Sequence, residues 1–159
     1  MKQVIILLFA LCTVASAGSS DLARIRLVGV RMVENAETQA PIRLVTFEVT
    51  NTATSPIWIY GRSSQTDADH VQPVGNSLRW DETSREWRAI TPDGRALHFE
   101  QFAALERVGF DLEPGQSIRF MLGADAVNHG FRLKQTVFVS GFLDQAHVTE
   151  IASDEFVLP

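Results

Sequence analysis

Asp67, Asp69 and His70 offer two carboxylates and an imidazole within a single short stretch, donors suited to a hard or borderline cation. They sit in the polar stretch 62–75, whose length without an apolar pattern marks a loop of the kind that often carries function. Three donors rarely complete a coordination shell, and no EF-hand spacing surrounds them, so a solvated loop is the first expectation. The alternative is a small-ligand or metal-binding protein, or an enzyme, built on that loop. His70, His98, His129 and His147 are widely separated, with no His-x-His or His-x-x-x-His pair, which argues against a dedicated zinc or copper site. Ser140 falls inside an apolar run rather than in a Gly-x-Ser-x-Gly elbow. The carboxylates Asp81, Glu82, Glu150, Asp154 and Glu155 are plentiful, but spacing does not show that any two converge. The expectation is a non-enzymatic protein without a cofactor.

The aromatic residues Trp58, Tyr60, Trp80 and Trp87 carry a different chemistry. Large rings supply contact area to sugar rings or peptide side chains at low entropic cost. Trp58 is expected in the core. Trp80 and Trp87 either cap the core or, flanked by Arg79 and Arg88, form a binding patch; both readings stay open at this point.

Residues 1–17 are expected to lie outside the fold. Lys2 precedes an apolar run from Val4 to Val14, and Ala15-Ser16-Ala17 is a small-x-small cleavage signal, the pattern of a secretory signal peptide. Cleavage there leaves 142 of the 159 residues, read as one domain over 18–159 that is not membrane-spanning. A chain of that size buries about 68% of its unfolded surface and needs no staples. Cys12, the single cysteine, leaves with the signal, so the mature chain has no thiol nucleophile, thiolate metal site or disulfide. With Lys2 removed, 13 basic residues stand against 19 acidic ones. The basic residues are scattered singly, which argues against a nucleic-acid partner and against a polybasic membrane patch. The expected location is the periplasm or outside the cell.

The elements that must position these groups are strands. In Ile42–Gly61, Val45, Phe47 and Val49 alternate with Thr46, Glu48 and Thr50, so one face is apolar and the other wet. A turn at 51–56 and a bulky run, Ile57-Trp58-Ile59-Tyr60, predict a hairpin whose second strand is covered on both faces. Ahead of it, Ile25 and Leu27 share one parity while Val28, Val30 and Met32 share the other, with Gly29 at the switch. That pattern predicts a β-bulge or a strand that changes sheets. Ser77–Ile90 predicts a second hairpin about Thr83-Ser84, with Trp80 opposite Trp87 and Leu78 opposite Ala89. Thr91-Pro92-Asp93-Gly94 is a turn, after which Arg95–Phe99 returns as a strand. Phe99, Phe102, Leu105 and Val108 recur at every third position, the spacing of one short helix. Ser117–Leu122, Phe131–Leu143 and Val148–Leu158 supply further strands, with a turn at 144–147. The count of about seven to nine strands and at most one short helix predicts an all-β, antiparallel, immunoglobulin-like β-sandwich.

The stretches FEVTNTATSPIWIYG and LEPGQSIRFML resemble segments of bacterial exported immunoglobulin-like domains, in which an Asn closes one strand and a Leu-x-Pro-Gly-x-Ser turn opens another. The resemblance covers about a fifth of the mature chain and lacks the sheet-bridging cysteines of antibody-type members. It implies the sandwich fold and export, and no chemistry. Together these expectations describe an exported binding or accessory module that engages a protein or cell-envelope component through a sheet edge, the 62–75 loop or the Trp80/Trp87 hairpin.

Overall fold

A computed structural model of the chain describes residues 22–34, 41–63, 71–91, 94–96, 98–99, 108–124 and 130–158. The expected signal segment, the trio Asp67, Asp69 and His70, most of the expected helix (100–107) and His129 lie outside them. In chain order the strands are β1 (Ala23–Glu34), β2 (Pro41–Asn51), β3 (Ile57–Ser63), β4 (Val71–Pro73), β5 (Ser77–Asp81), β6 (Glu86–Ala89), β7 (Val108–Leu112), β8 (Ser117–Ala124), β9 (Arg132–Gly141), β10 (Asp144–Ala152) and β11 (Phe156–Val157). Apart from β4 and β11, which are three and two residues long, each strand has four residues or more. All pairings are antiparallel. They make a three-stranded sheet, β1-β2-β8, and an eight-stranded sheet running β4-β3-β9-β5-β6, with β10 and β11 on β9 and β7 on β3. The protein is an all-β antiparallel sandwich.

β2 and β3 do not pair. They lie in different sheets, so 52–56 carries the chain across the sandwich rather than round a hairpin turn. Alternation fixes which face of a strand is apolar but not which strand lies beside it, and the pivot of the crossing is Asn51. Its side chain, 1% exposed, donates to Ser55 O (2.9 Å) and Leu112 O (2.8 Å) and accepts from Ala53 N (2.8 Å). A fully bonded amide can be buried where an unbonded one would be costly.

At Gly29 the β1–β2 register slips by one residue, so β1 bulges and stays in its sheet instead of changing sheets. The bulge reconciles the two parities: Ile25, Leu27 and Val30 oppose Val49, Phe47 and Val45 on the inner face. Phe47 stacks on Phe120 (5.5 Å between centroids) and meets the edge of Phe156 (5.5 Å). From the second sheet Ile57, Ile59, Leu133, Val137, Val139 and Ile151 close the same core.

β9 is the axis of the larger sheet. Along one edge Val139–Gly141 pairs β3 and Leu133–Gln135 pairs β5. The gap between them is filled by 74–76, whose Val74 O and Asn76 O accept from Phe138 N (3.1 Å) and Thr136 N (2.8 Å). Gly75 permits that approach, because a Cβ there would clash with Thr136 O. The expected 62–75 loop is thus shorter than its composition implied: its ends belong to β3 and β4, which pair with each other.

Three further expectations shift. The residues described within 94–99 form no strand; instead Phe99 lies against Tyr60 (4.6 Å) and Phe138 (5.6 Å) on the outer face of the larger sheet. Val108 opens β7. The last turn sits at Phe142-Leu143, and β10 begins at Asp144 with an irregular register up to Thr149.

Candidate functional site

The second hairpin forms as its alternation predicts. Trp80 faces Trp87, Leu78 faces Ala89, and residues 82–85 make the connection. Asp81 builds that loop: its Oδ1 accepts from Thr83 N (2.8 Å) and Ser84 N (3.2 Å), and its carbonyl from Arg85 N (2.8 Å). The amides of Ser84 and Thr83, with the Arg88 guanidinium behind them, hold the Asp81 carboxyl below the usual aspartate range. Arg85 pays for the tight closure with a left-handed backbone, φ 55°.

The indoles of Trp80 and Trp87 meet edge to face, 5.4 Å between centroids, and each is half-buried. Trp80 Nε1–H is enclosed with no acceptor among the described residues. Burying such a donor costs about 1–3 kcal/mol, which a ring present only for packing would avoid.

Arg79 and Arg88 do not flank this pair. They oppose each other in the register, so alternation sends both to the other face of the hairpin. There Arg88 pairs with Asp81 (3.1 Å), and the Arg79 guanidinium lies 4.6 Å over Phe131. The cations beside the indoles come from β9 instead. Arg132 Cζ sits 4.8 Å over Trp80 and 5.8 Å over Trp87, and Lys134 Nζ lies 4.7 Å over Trp87. Glu155 holds both cations, at 2.7 Å from Arg132 and 3.8 Å from Lys134. Pairing of Arg79 with Leu133 and of Leu78 with Lys134 places the indoles, Arg132 and Lys134 on the outer face of the larger sheet. The i, i+2 spacing of Arg132 and Lys134 was visible in the sequence. Its neighbour was not, because β5 and β9 are over fifty residues apart.

No protein-family model and no curated protein matches this chain. Among solved structures, a Bordetella pertussis protein provisionally named ApaA is similar at a TM-score of 0.49 and 14% identity, over 86% of this chain and 94% of that one. An X-ray structure of a Northeast Structural Genomics Consortium target matches at a TM-score of 0.51 and 8% identity, over 89% of this chain and 91% of that one. At such identity the second likeness speaks to the fold alone.

The remaining expected groups disperse. Among the described residues no three His, Cys, Asp or Glu side chains gather as a metal would require. His147 pairs with Asp144 (2.9 Å) on the exposed β9–β10 hairpin. Ser140 is fully buried beside the Tyr60 hydroxyl (3.3 Å), which donates to Gln145 O (3.1 Å) and pins the irregular start of β10. Glu150 accepts from Asn76 Nδ2 (2.8 Å) and Thr136 Oγ1 (2.5 Å) and ties 74–76 to β9 and β10. Trp58, expected in the core, is only half-buried. It lies 6.4 Å from Phe142 and against Gly109, where a Cβ would come within 2.6 Å of its ring.

Proposed function

We propose that this protein is an exported, non-enzymatic binding module. It engages a protein or envelope component through the outer face formed by Trp80, Trp87, Arg132 and Lys134. The observation that carries this reading is the cation–indole cluster: two half-buried rings, each under a cation, on a hairpin preorganised by Asp81. Rigid aromatic rings beside arginine are the groups that dominate binding energy at protein interfaces. A pre-set hairpin also lowers the ordering cost of association. Export rests on Lys2, the apolar run and Ala15-Ser16-Ala17.

The test is fluorescence in a Trp58→Phe background, where emission comes from Trp80 and Trp87 alone. Titration with fractionated envelope extract should shift or quench that emission. The shift should vanish in an Arg132→Met/Lys134→Met variant that melts within a few degrees of its parent. An unchanged response in the folded variant would remove this face from consideration.

A further inference from the structure

The singly scattered basic residues of the sequence are gathered by the smaller sheet. Its register sets Arg26, Glu48 and Arg119 in one row across β1, β2 and β8, with Arg24, Thr50 and Ser117 in the row two residues along. Beyond the bulge the same outer face carries Gly29, Thr46 and Met121, then Arg31, Leu44 and Gly123. Among the described residues four arginines share this face with one glutamate, a local formal charge of +3 on a chain whose total is −5.

The glutamate is spent on its neighbours. Glu48 Oε1 accepts from Arg26 Nε (2.9 Å) and NH2 (2.6 Å), and Oε2 accepts from Arg119 Nε (2.8 Å). Its side chain is 10% exposed between arginine side chains that are 56% and 67% exposed. Arg119 uses its Nε in that contact and makes no other ion pair among the described residues. Among the described residues Arg24 reaches one rim carboxylate, Asp154, at 3.9 Å, and Arg31 rests on the Met121 sulfur at 3.8 Å. An exposed pair of that length contributes little.

We infer that the outer face of the β1-β2-β8 sheet binds a carboxylate-bearing linear polysaccharide. The arginine fork matches planar carboxylates, and this face already binds one, Glu48, with Arg26 on one oxygen and Arg119 on the other. Arginines two residues apart on a strand are separated by roughly 7 Å, and those two strands apart by roughly 10 Å, so a chain of repeating carboxylates can reach several at once. The paired hydroxyls of Thr50 and Ser117 (2.7 Å apart) supply groups for sugar hydroxyls. No space-filling side chain stands at Gly29 or Gly123, where a Cβ would meet nothing within 4 Å, so a flat ring can lie close to the sheet. The described residues of this face include no aromatic ring, which a single-stranded nucleic acid would need for stacking.

The experiment measures binding of the full chain to polygalacturonate by calorimetry. Neutral dextran, duplex DNA and phosphatidylglycerol vesicles serve as the comparison arms. Polygalacturonate should bind with an affinity that falls as sodium chloride rises. Arg24→Ser/Arg31→Ser, which leaves the Glu48 pairs intact, should weaken it at least about tenfold at an unchanged melting temperature. Arg31→Glu alone should weaken it further than Arg31→Ser. An Arg132→Met/Lys134→Met variant should bind polygalacturonate as the parent does, which separates this site from the indole cluster. Equal binding by the folded double variant, equal binding of dextran, or tighter binding of DNA or vesicles would each overturn the inference.

Discussion

The two outer faces of the sandwich solve the same problem in opposite ways. On the smaller sheet, a carboxylate is bridged by cations from the strands on either side, and the cations stay largely exposed. On the larger sheet the order is inverted. Rings form the floor, Arg132 and Lys134 lie over them, and Glu155 holds the cations in place. The first face presents charge on a polar base and suits long-range attraction of a polyanion. The second presents desolvated rings, and suits short-range contact with a shaped partner. A further part of the larger sheet is closed altogether, because Phe99 covers Tyr60 and Phe138.

The largest expected effect tests whether both faces rest on one core. Phe47 is 2% exposed and touches rings contributed from both sheets. Phe47→Ala should cost about 3–5 kcal/mol in a denaturant melt, as large-to-small core changes do. A loss under about 1 kcal/mol would mean the sheets do not meet at Phe47. Next comes Gly109→Ala, whose added methyl meets Trp58 and the Ile59 carbonyl. Overpacking of this kind costs about 1–3 kcal/mol and should be relieved in part by the smaller side chain of Trp58→Leu. If the two substitutions prove additive, Trp58 does not lie on Gly109.

Glu48→Gln separates the faces by pH. The guanidiniums of Arg119 and Arg26 hold the Glu48 carboxyl below its ordinary 4.5, so its folded pKa lies under its unfolded one. Its contribution is therefore complete above the unfolded value and is lost as pH falls through the folded one. Melting curves of parent and variant should differ near pH 7 and converge toward pH 3. A gap that stays constant with pH would contradict the ion-pair row. The smallest effect concerns the hairpin loop: Arg85→Gly should stabilise by up to about 1 kcal/mol, because the left-handed position suits glycine. Destabilisation would mean that the Arg85 side chain matters more than its backbone.

Much of this was legible in local pattern. Alternation in 42–50 identified Phe47 as inward, the parity switch at Gly29 located a bulge, and symmetry about Thr83-Ser84 paired Trp80 with Trp87. What alternation omits is the identity of the neighbouring strand. Glu48 reads as one more wet-face position until β1 and β8 bring an arginine to each side of it. Likewise Arg79 and Arg88 are the nearest cations to the tryptophans in sequence, yet alternation turns them away and β9 supplies Arg132 and Lys134. The expected hairpin at 42–61 failed for the same reason, since a strand–turn–strand pattern describes a crossing between sheets equally well.

The most direct test of the indole face is site-specific photo-crosslinking in intact cells. A benzophenone side chain is placed either at Val157 or at Arg88. Val157 is exposed and opposite Arg132, so it shares the face of Trp80 and Trp87; Arg88 lies on the reverse of the same hairpin. Both positions are exposed, so the probe itself should be tolerated at each. A discrete adduct formed from position 157 and absent from position 88 is the expected result. An adduct from position 88 alone, or of equal yield from both, would contradict the assignment of partner contact to the indole face.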